Sequence, residues 1–201
     1  TAENVTVKRV TMNLNLLGEE AYAYTSAHLL PAECIGGLIG YAKGSVTLTD
    51  CTVENLTVSV TDKKDGGGTQ ILIGGLIGYA DALYTPYDAE GIWVGNDYRG
   101  DGSVTIIGCT VSGMTVNENG ATGVTVGGLL GGIGKCVTSK NGTTYSVTAR
   151  IDDTSTFPDE FTRIGKELTM NDSTASDSAE RSLDAMPAAF EDESDEENTA
   201  A

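Results

Sequence analysis

Ile35-Gly36-Gly37-Leu38-Ile39-Gly40-Tyr41-Ala42 returns letter for letter at residues 73–80 and, as VGGLLGGI, loosely at residues 126–133. An eight-residue block repeated in a chain of 201 residues marks a stacked repeat, in which each copy buries an apolar face against the next. The block has neither the G-x-G-x-x-G spacing of a dinucleotide loop nor the Lys-Ser/Thr ending of a phosphate loop. Its paired glycines are instead expected at a corner, where φ > 0 and close backbone approach are needed.

Outward from the first block, Ser45-Val46-Thr47-Leu48-Thr49 alternates apolar and polar residues, the period-two pattern of a half-buried strand. Cys51-Thr52-Val53 and Leu56-Thr57-Val58-Ser59-Val60 follow. Gly102-Ser103-Val104-Thr105, Cys109-Thr110-Val111 and Thr115-Val116 repeat this text 58 positions later, and residues 5–12 align with 51–58. The glycine blocks lie 38 and then 53 positions apart, so the copies differ by insertions between fixed elements. Ser146-Val147-Thr148 stands for Ser45-Val46-Thr47 in a degraded third copy, which has no Cys-Thr-Val after it.

The fold expected over residues 1–170 is all-β: a parallel β-solenoid, right-handed and β-helix-like, of about three to four irregular coils. Handedness is the default for parallel crossovers. An antiparallel sandwich is the competing fold, but it has no need of repeated glycine blocks. Loops are expected at 18–33, 61–70 and 81–101. Equivalent residues should form ladders: Val7, Val53 and Val111; Met12, Val58 and Val116; Leu48 and Ile106; and an outward Thr6, Thr52 and Thr110. Cys51 and Cys109 share a rung as small buried hydrophobes. Phe157, Phe161, Ile164 and Leu168 follow helical spacing with Pro158 at the start, which predicts a short amphipathic cap over 156–168. Residues 172–201 carry ten acids against Arg181 alone and read as a disordered acidic tail.

A net charge of -17 excludes nucleic acid as a partner, because phosphate binding needs a basic face. No run approaches the ~18 apolar residues that a membrane span requires. Absence of an initial Met suggests a piece of a longer exported protein, with other repeats of that parent chain as neighbours. A single histidine, His28, and the lack of any C-x-x-C pair leave zinc almost without ligands. H-E-x-x-H and G-x-S-x-G are both missing, so no enzyme activity is expected.

The pattern x-G-G-L-I-G-x-x-x-G-x-V/I-x-x-C-x-V resembles the GLUG-type repeat of bacterial exported and surface proteins. Its matching residues are Gly36, Gly37, Leu38, Gly40 and Gly44; Gly74, Gly75, Leu76 and Gly78; and Gly127, Gly128, Leu129 and Gly131. The resemblance covers about residues 5–150. Such repeats occur in adhesin-like proteins and beside the peptidase region of IgA-cleaving metallopeptidases. What it implies is an extracellular or cell-surface location and a repeat scaffold, with no particular ligand.

A binding function is sought in the inserts. Residues 81–101 hold Tyr84, Tyr87, Trp93 and Tyr98, a third of all the aromatic residues, beside acids and Asn. Exposed rings of this kind contact glycans or host proteins at small entropic cost. Arg99-Gly100-Asp101 closes the insert as a receptor-type tripeptide. Asn96, Asp97 and Asp101 are a weak Ca²⁺ set, without the spacing or distal Glu of a calcium loop. Asp88, Glu90 and Asp97 are the acids a polysaccharide-cleaving site would draw on. N-x-S/T triplets begin at Asn4, Asn55, Asn141 and Asn171.

Overall fold

The computed structural model describes residues 1–16, 33–62, 70–87, 93–121, 123–137 and 143–171. The acidic tail, and most of the inserts at 18–33 and 61–70, lie outside the described residues. Among the described residues there is no helix. The strands are β1 (Ala2–Glu3), β2 (Thr6–Leu16), β3 (Glu33–Gly36), β4 (Ile39–Lys43), β5 (Ser45–Thr49) and β6 (Thr52–Asp62). Next come β7 (Ile71–Gly74), β8 (Ile77–Asp81), β9 (Leu83–Tyr87), β10 (Trp93–Gly100) and β11 (Gly102–Ile107). The last are β12 (Thr110–Ser112), β13 (Thr115–Asn117), β14 (Val124–Val137), β15 (Thr144–Ile151) and β16 (Thr162–Asn171).

Most pairings are parallel. One wall stacks β1, β5, β11 and β15; a second stacks β2, β6 and then β12 and β13. The third wall stacks β3 and β4 on β7 and β8, these on β14, and β14 on β16. Walls one and three join into a single curled sheet where β14 runs antiparallel to β15. The chain visits the walls in the same order each time, a topology compatible with a β-helix-like fold.

The expected ladders are present. Val7, Val53 and Val111 are register partners, as are Met12, Val58 and Val116, and Leu48 pairs with Ile106. Leu48, Val53, Leu56, Val58, Ile73, Leu76, Ile77, Val104, Ile106 and Leu129 are all 0 % exposed in one core. Each such side chain contributes roughly 1.5–3 kcal/mol by leaving water.

Cys51 and Cys109 are buried free thiols on the same rung, in adjacent circuits. They do more than fill space: the Cys51 N–H donates to Cys109 Sγ at 3.4 Å, and the Cys109 N–H donates to Ser155 Oγ at 3.1 Å. Ser155-Thr156-Phe157 therefore occupies the Cys-Thr-Val position of a further circuit, and Thr110 bridges to Thr156 in parallel. Asp152 closes the same corner. Its carboxylate accepts the Gly108 N–H at 3.2 Å, the Ser155 N–H at 3.0 Å and the hydroxyls of Ser155 and Thr154. Those hydrogen bonds, chiefly the two hydroxyls, hold its pKa down to about 2.

Three expectations need correction. The segment with helical spacing is a strand: β16 runs parallel to β14, and Gly165 lies one residue before the Gly132–Lys166 partnership. Gly165 is thus the repeat glycine of the last circuit, on the rung of Gly131. Ser146-Val147-Thr148 is out of step by two residues, since Thr148 is the partner of Ser103, which in turn pairs with Ser45. Thr144, Tyr145 and Ser146 are instead used in antiparallel pairing with β14. Finally, the paired glycines do not have φ > 0; positive φ occurs at Gly44, Gly108, Gly113, Gly120 and Gly123 among the glycines. A Cβ at Gly75 would strike the Gly128 carbonyl and lie 2.7 Å from Val111 Cγ1, so close approach alone requires the pair.

Candidate functional site

Where β4 passes to β5, the corner is a single residue, Gly44, with φ +75. A side chain would be strained there, and glycine is not. One circuit below, the same corner is opened to admit the aromatic insert. The Gly44 N–H donates to Asp81 O at 3.0 Å, and its carbonyl accepts from the Ser103 N–H at 3.0 Å. A Cβ on Gly102 would lie 2.8 Å from Gly44 O and 2.9 Å from Asp81 O. The insert thus leaves at Asp81 and returns at Gly102 beside one point of the stack.

Between those ends β9 and β10 form a two-stranded antiparallel ribbon of their own. Its register sets Tyr84 opposite Tyr98 and Tyr87 opposite Trp93, so the four aromatic candidates fall into two cross-strand pairs. Asp97 is opposite Thr85 and Gly100 opposite Leu83, with irregular register between the pairs. Arg99 and Gly100 complete β10. Asp101 is exposed, and its Oδ1 accepts the Ser146 N–H at 2.9 Å, which ties the end of the tripeptide to β15. Asn96 and Asp97 lie on β10, and Asp101 follows it. Among the described residues no group of three or more His, Cys, Asp and Glu is placed to hold a metal ion.

The root of the ribbon contains residues that the sequence did not single out. Asp81 is 0 % exposed, and so are Tyr79 and Ala82. Tyr41, one circuit away, donates its hydroxyl to Asp81 Oδ2 at 3.0 Å, while the Ala82 N–H donates to Asp81 Oδ1 at 2.8 Å. Tyr41 and Tyr79 have ring centroids 5.6 Å apart, and Lys43 Nζ stands 5.5 Å over the Tyr41 ring. Lys43 and Asp81 are register partners. Gly134 leaves room below: a Cβ there would lie 2.6 Å from Asp81 Oδ1. The signal was a single letter, since the repeated IGGLIGYA is followed by Lys43 in one copy and Asp81 in the next.

Cys34 packs against Leu72, Tyr79 and Leu168 in a small apolar cluster apart from the main core. Burial first, and then the Glu33 and Asp81 carboxylates, push its thiol up to about 12. At neutral pH it is a thiol, not the thiolate that nucleophilic chemistry needs.

The structural glycines are all at close approaches. Gly40, Gly78, Gly131 and Gly165 stack on one rung, where a Cβ on Gly78 or Gly165 would sit 2.5 Å from another backbone atom. Leu38, Leu76 and Leu129 are inward residues of the core between these glycines.

No curated protein and no solved structure matches this chain. Residues 31–61 match the family model described as the GLUG motif. That span contains β3, β4, β5 and all but the last residue of β6, one passage through all three walls, so a GLUG-type repeat here corresponds to one circuit of the chain.

Proposed function

We propose that the chain is a non-catalytic repeat module of a bacterial cell-surface or secreted protein, which displays the β9–β10 ribbon for contact with a glycan or a host protein. Its body is a right-handed parallel β-solenoid of four circuits, extendable by other repeats of a parent chain. The observation that carries the reading is the graft itself. Two opposed aromatic pairs, Tyr84 with Tyr98 and Tyr87 with Trp93, are held on a ribbon whose ends meet at one corner of the stack. Aromatic residues on a pre-ordered ribbon supply contact area with little ordering cost.

The test is removal of residues 82–101, joining Asp81 to Gly102. The new Asp81-Gly102-Ser103 corner copies Lys43-Gly44-Ser45, and Gly102 can take the positive φ that Gly44 uses. The expected outcome is an unchanged β-type far-UV spectrum with loss of binding on a glycan array and a panel of host matrix proteins. An unfolded body, or binding that survives, overturns the display reading.

A second reading is a pure spacer. It is favoured by the in-register stacking of every circuit, which adds about 4.8 Å of length per circuit. An intact fold with an empty binding screen for the complete chain would support it.

A further inference from the structure

Asp81 is a fully buried carboxylate at the point where the ribbon departs, and its register partner in the circuit above is Lys43. It joins three circuits. Tyr41 from the first donates to Oδ2, Ala82, one residue before β9, donates its backbone N–H to Oδ1, and Gly134 of the third supplies the space in which the carboxylate sits. The two oxygens are thus turned in different directions, one to the body and one to the insert.

We propose that Asp81 and Tyr41 are positioning residues that lock the exit of the β9–β10 ribbon to the register of the stack, so that order in the ribbon depends on the first circuit being docked on the second. The assignment rests on the display reading only for its purpose; the lock itself concerns the order of the ribbon and needs no ligand to be observed. Charged-group hydrogen bonds of this kind are about twice as strong as neutral ones, and strength matters most in a site shielded from water. Removal of the Tyr41 hydroxyl takes one donor from the buried Asp81 carboxylate, which loosens the ribbon before it loosens the body.

The only tryptophan in the chain is Trp93 on β10, so its fluorescence reports on the ribbon while far-UV circular dichroism reports on the walls. In urea the complete wild-type chain is expected to give coincident transitions by the two probes. Tyr41→Phe keeps the ring that faces Tyr79 and removes only the donor; Asp81→Asn keeps the shape and removes the charge. In both variants the Trp93 transition should move to lower urea than the dichroism transition. Amide hydrogen exchange over 83–101 should quicken at least tenfold, while β6 and β7 keep their protection. Coincident transitions in both variants, with exchange over 83–101 unchanged, overturn the lock. Separate transitions already present in the wild type overturn it equally. Loss of binding in the deletion test speaks to display alone, so the two proposals fail on different measurements.

Discussion

At the scale of single residues, the corners are decided by hydrogen-bond supply as much as by apolar burial. Asp152 illustrates this with a sign that pH can read. Its pKa lies at about 2, below the ordinary carboxylate value of 3.8, because Ser155 and Thr154 hydroxyls and the Gly108 and Ser155 N–H groups donate to the charged form. A depressed folded pKa contributes stability that is complete above the unfolded value and is lost as pH falls through the folded one. Asp152→Ala is therefore expected to lower Tm at pH 6 and to converge with the wild type between pH 4 and pH 2. A Tm difference that persists undiminished at pH 2 would show that the turn, rather than the charge, holds the corner. The Cys-Thr-Val rung was legible in sequence as a ladder. Its extension to Ser155 was not, because Ser replaces the sulfur as acceptor for a corner N–H, and that equivalence appears only once the rungs are aligned. The paired glycines were legible as corners for half of the right reason: carbonyls of the same and the next circuit, and the Phe157 ring at Gly128, exclude a side chain there, not positive φ.

At the scale of elements, β16 is where periodicity misled. Phe157, Phe161, Ile164 and Leu168 fit a helical stripe, yet they come from two environments. Phe157, Phe161 and Ile164 pack on the main core, while Leu168 joins Leu72 and Tyr79 in the smaller cluster. The cluster a residue joins changes across the repeat glycine, as it does between Ile77 and Tyr79 in the second circuit, and an even spacing is thereby broken. Substitution at Gly165 separates the two readings by sign. In a helix, Gly→Ala would stabilise by about 1 kcal/mol. On the β16 rung, a Cβ would lie 2.5 Å from Gly131 O and 2.9 Å from Thr125 Cγ2, so Gly165→Ala is expected to destabilise by about 1–3 kcal/mol. Urea denaturation measures the difference directly, and a raised midpoint would return β16 to the helical reading. The aromatic insert was recognised from composition, but its register was not. Nothing in the alternation around Tyr84 and Tyr98 reveals that they face each other across a ribbon, because the pairing is irregular between Trp93 and Asp97.

Over the whole molecule, stability should follow from the number of neighbours each circuit has. In stacked repeats the free energy is close to a sum of circuit terms and nearest-neighbour interface terms, so an inner circuit gains two interfaces and an end circuit one. The ladder of repeat leucines carries this gradient in its burial. Leu76 and Leu129 are 0 % exposed, whereas Leu38 in the first circuit is only partly buried. Val53 and Leu56 are likewise sealed while Val7 and Val10 above them are not. Repetition in the sequence revealed that the circuits stack, but not which of them is sealed, because identical letters at Leu38 and Leu76 meet different numbers of neighbours. Leu76→Ala removes a side chain enclosed on both sides and is expected to cost about 3–4 kcal/mol, within the range for buried leucines. Leu38→Ala, at the less covered end, should cost nearer ~1 kcal/mol, since part of its surface is already in water. The same gradient should appear in native-state hydrogen exchange as protection that is greatest in β6, β7 and β8 and weakest in β1 and β2. Equal costs at the two leucines, together with uniform protection from β1 to β8, would mean that the first circuit is sealed as completely as the second, and nearest-neighbour stacking would no longer account for the stability of the body.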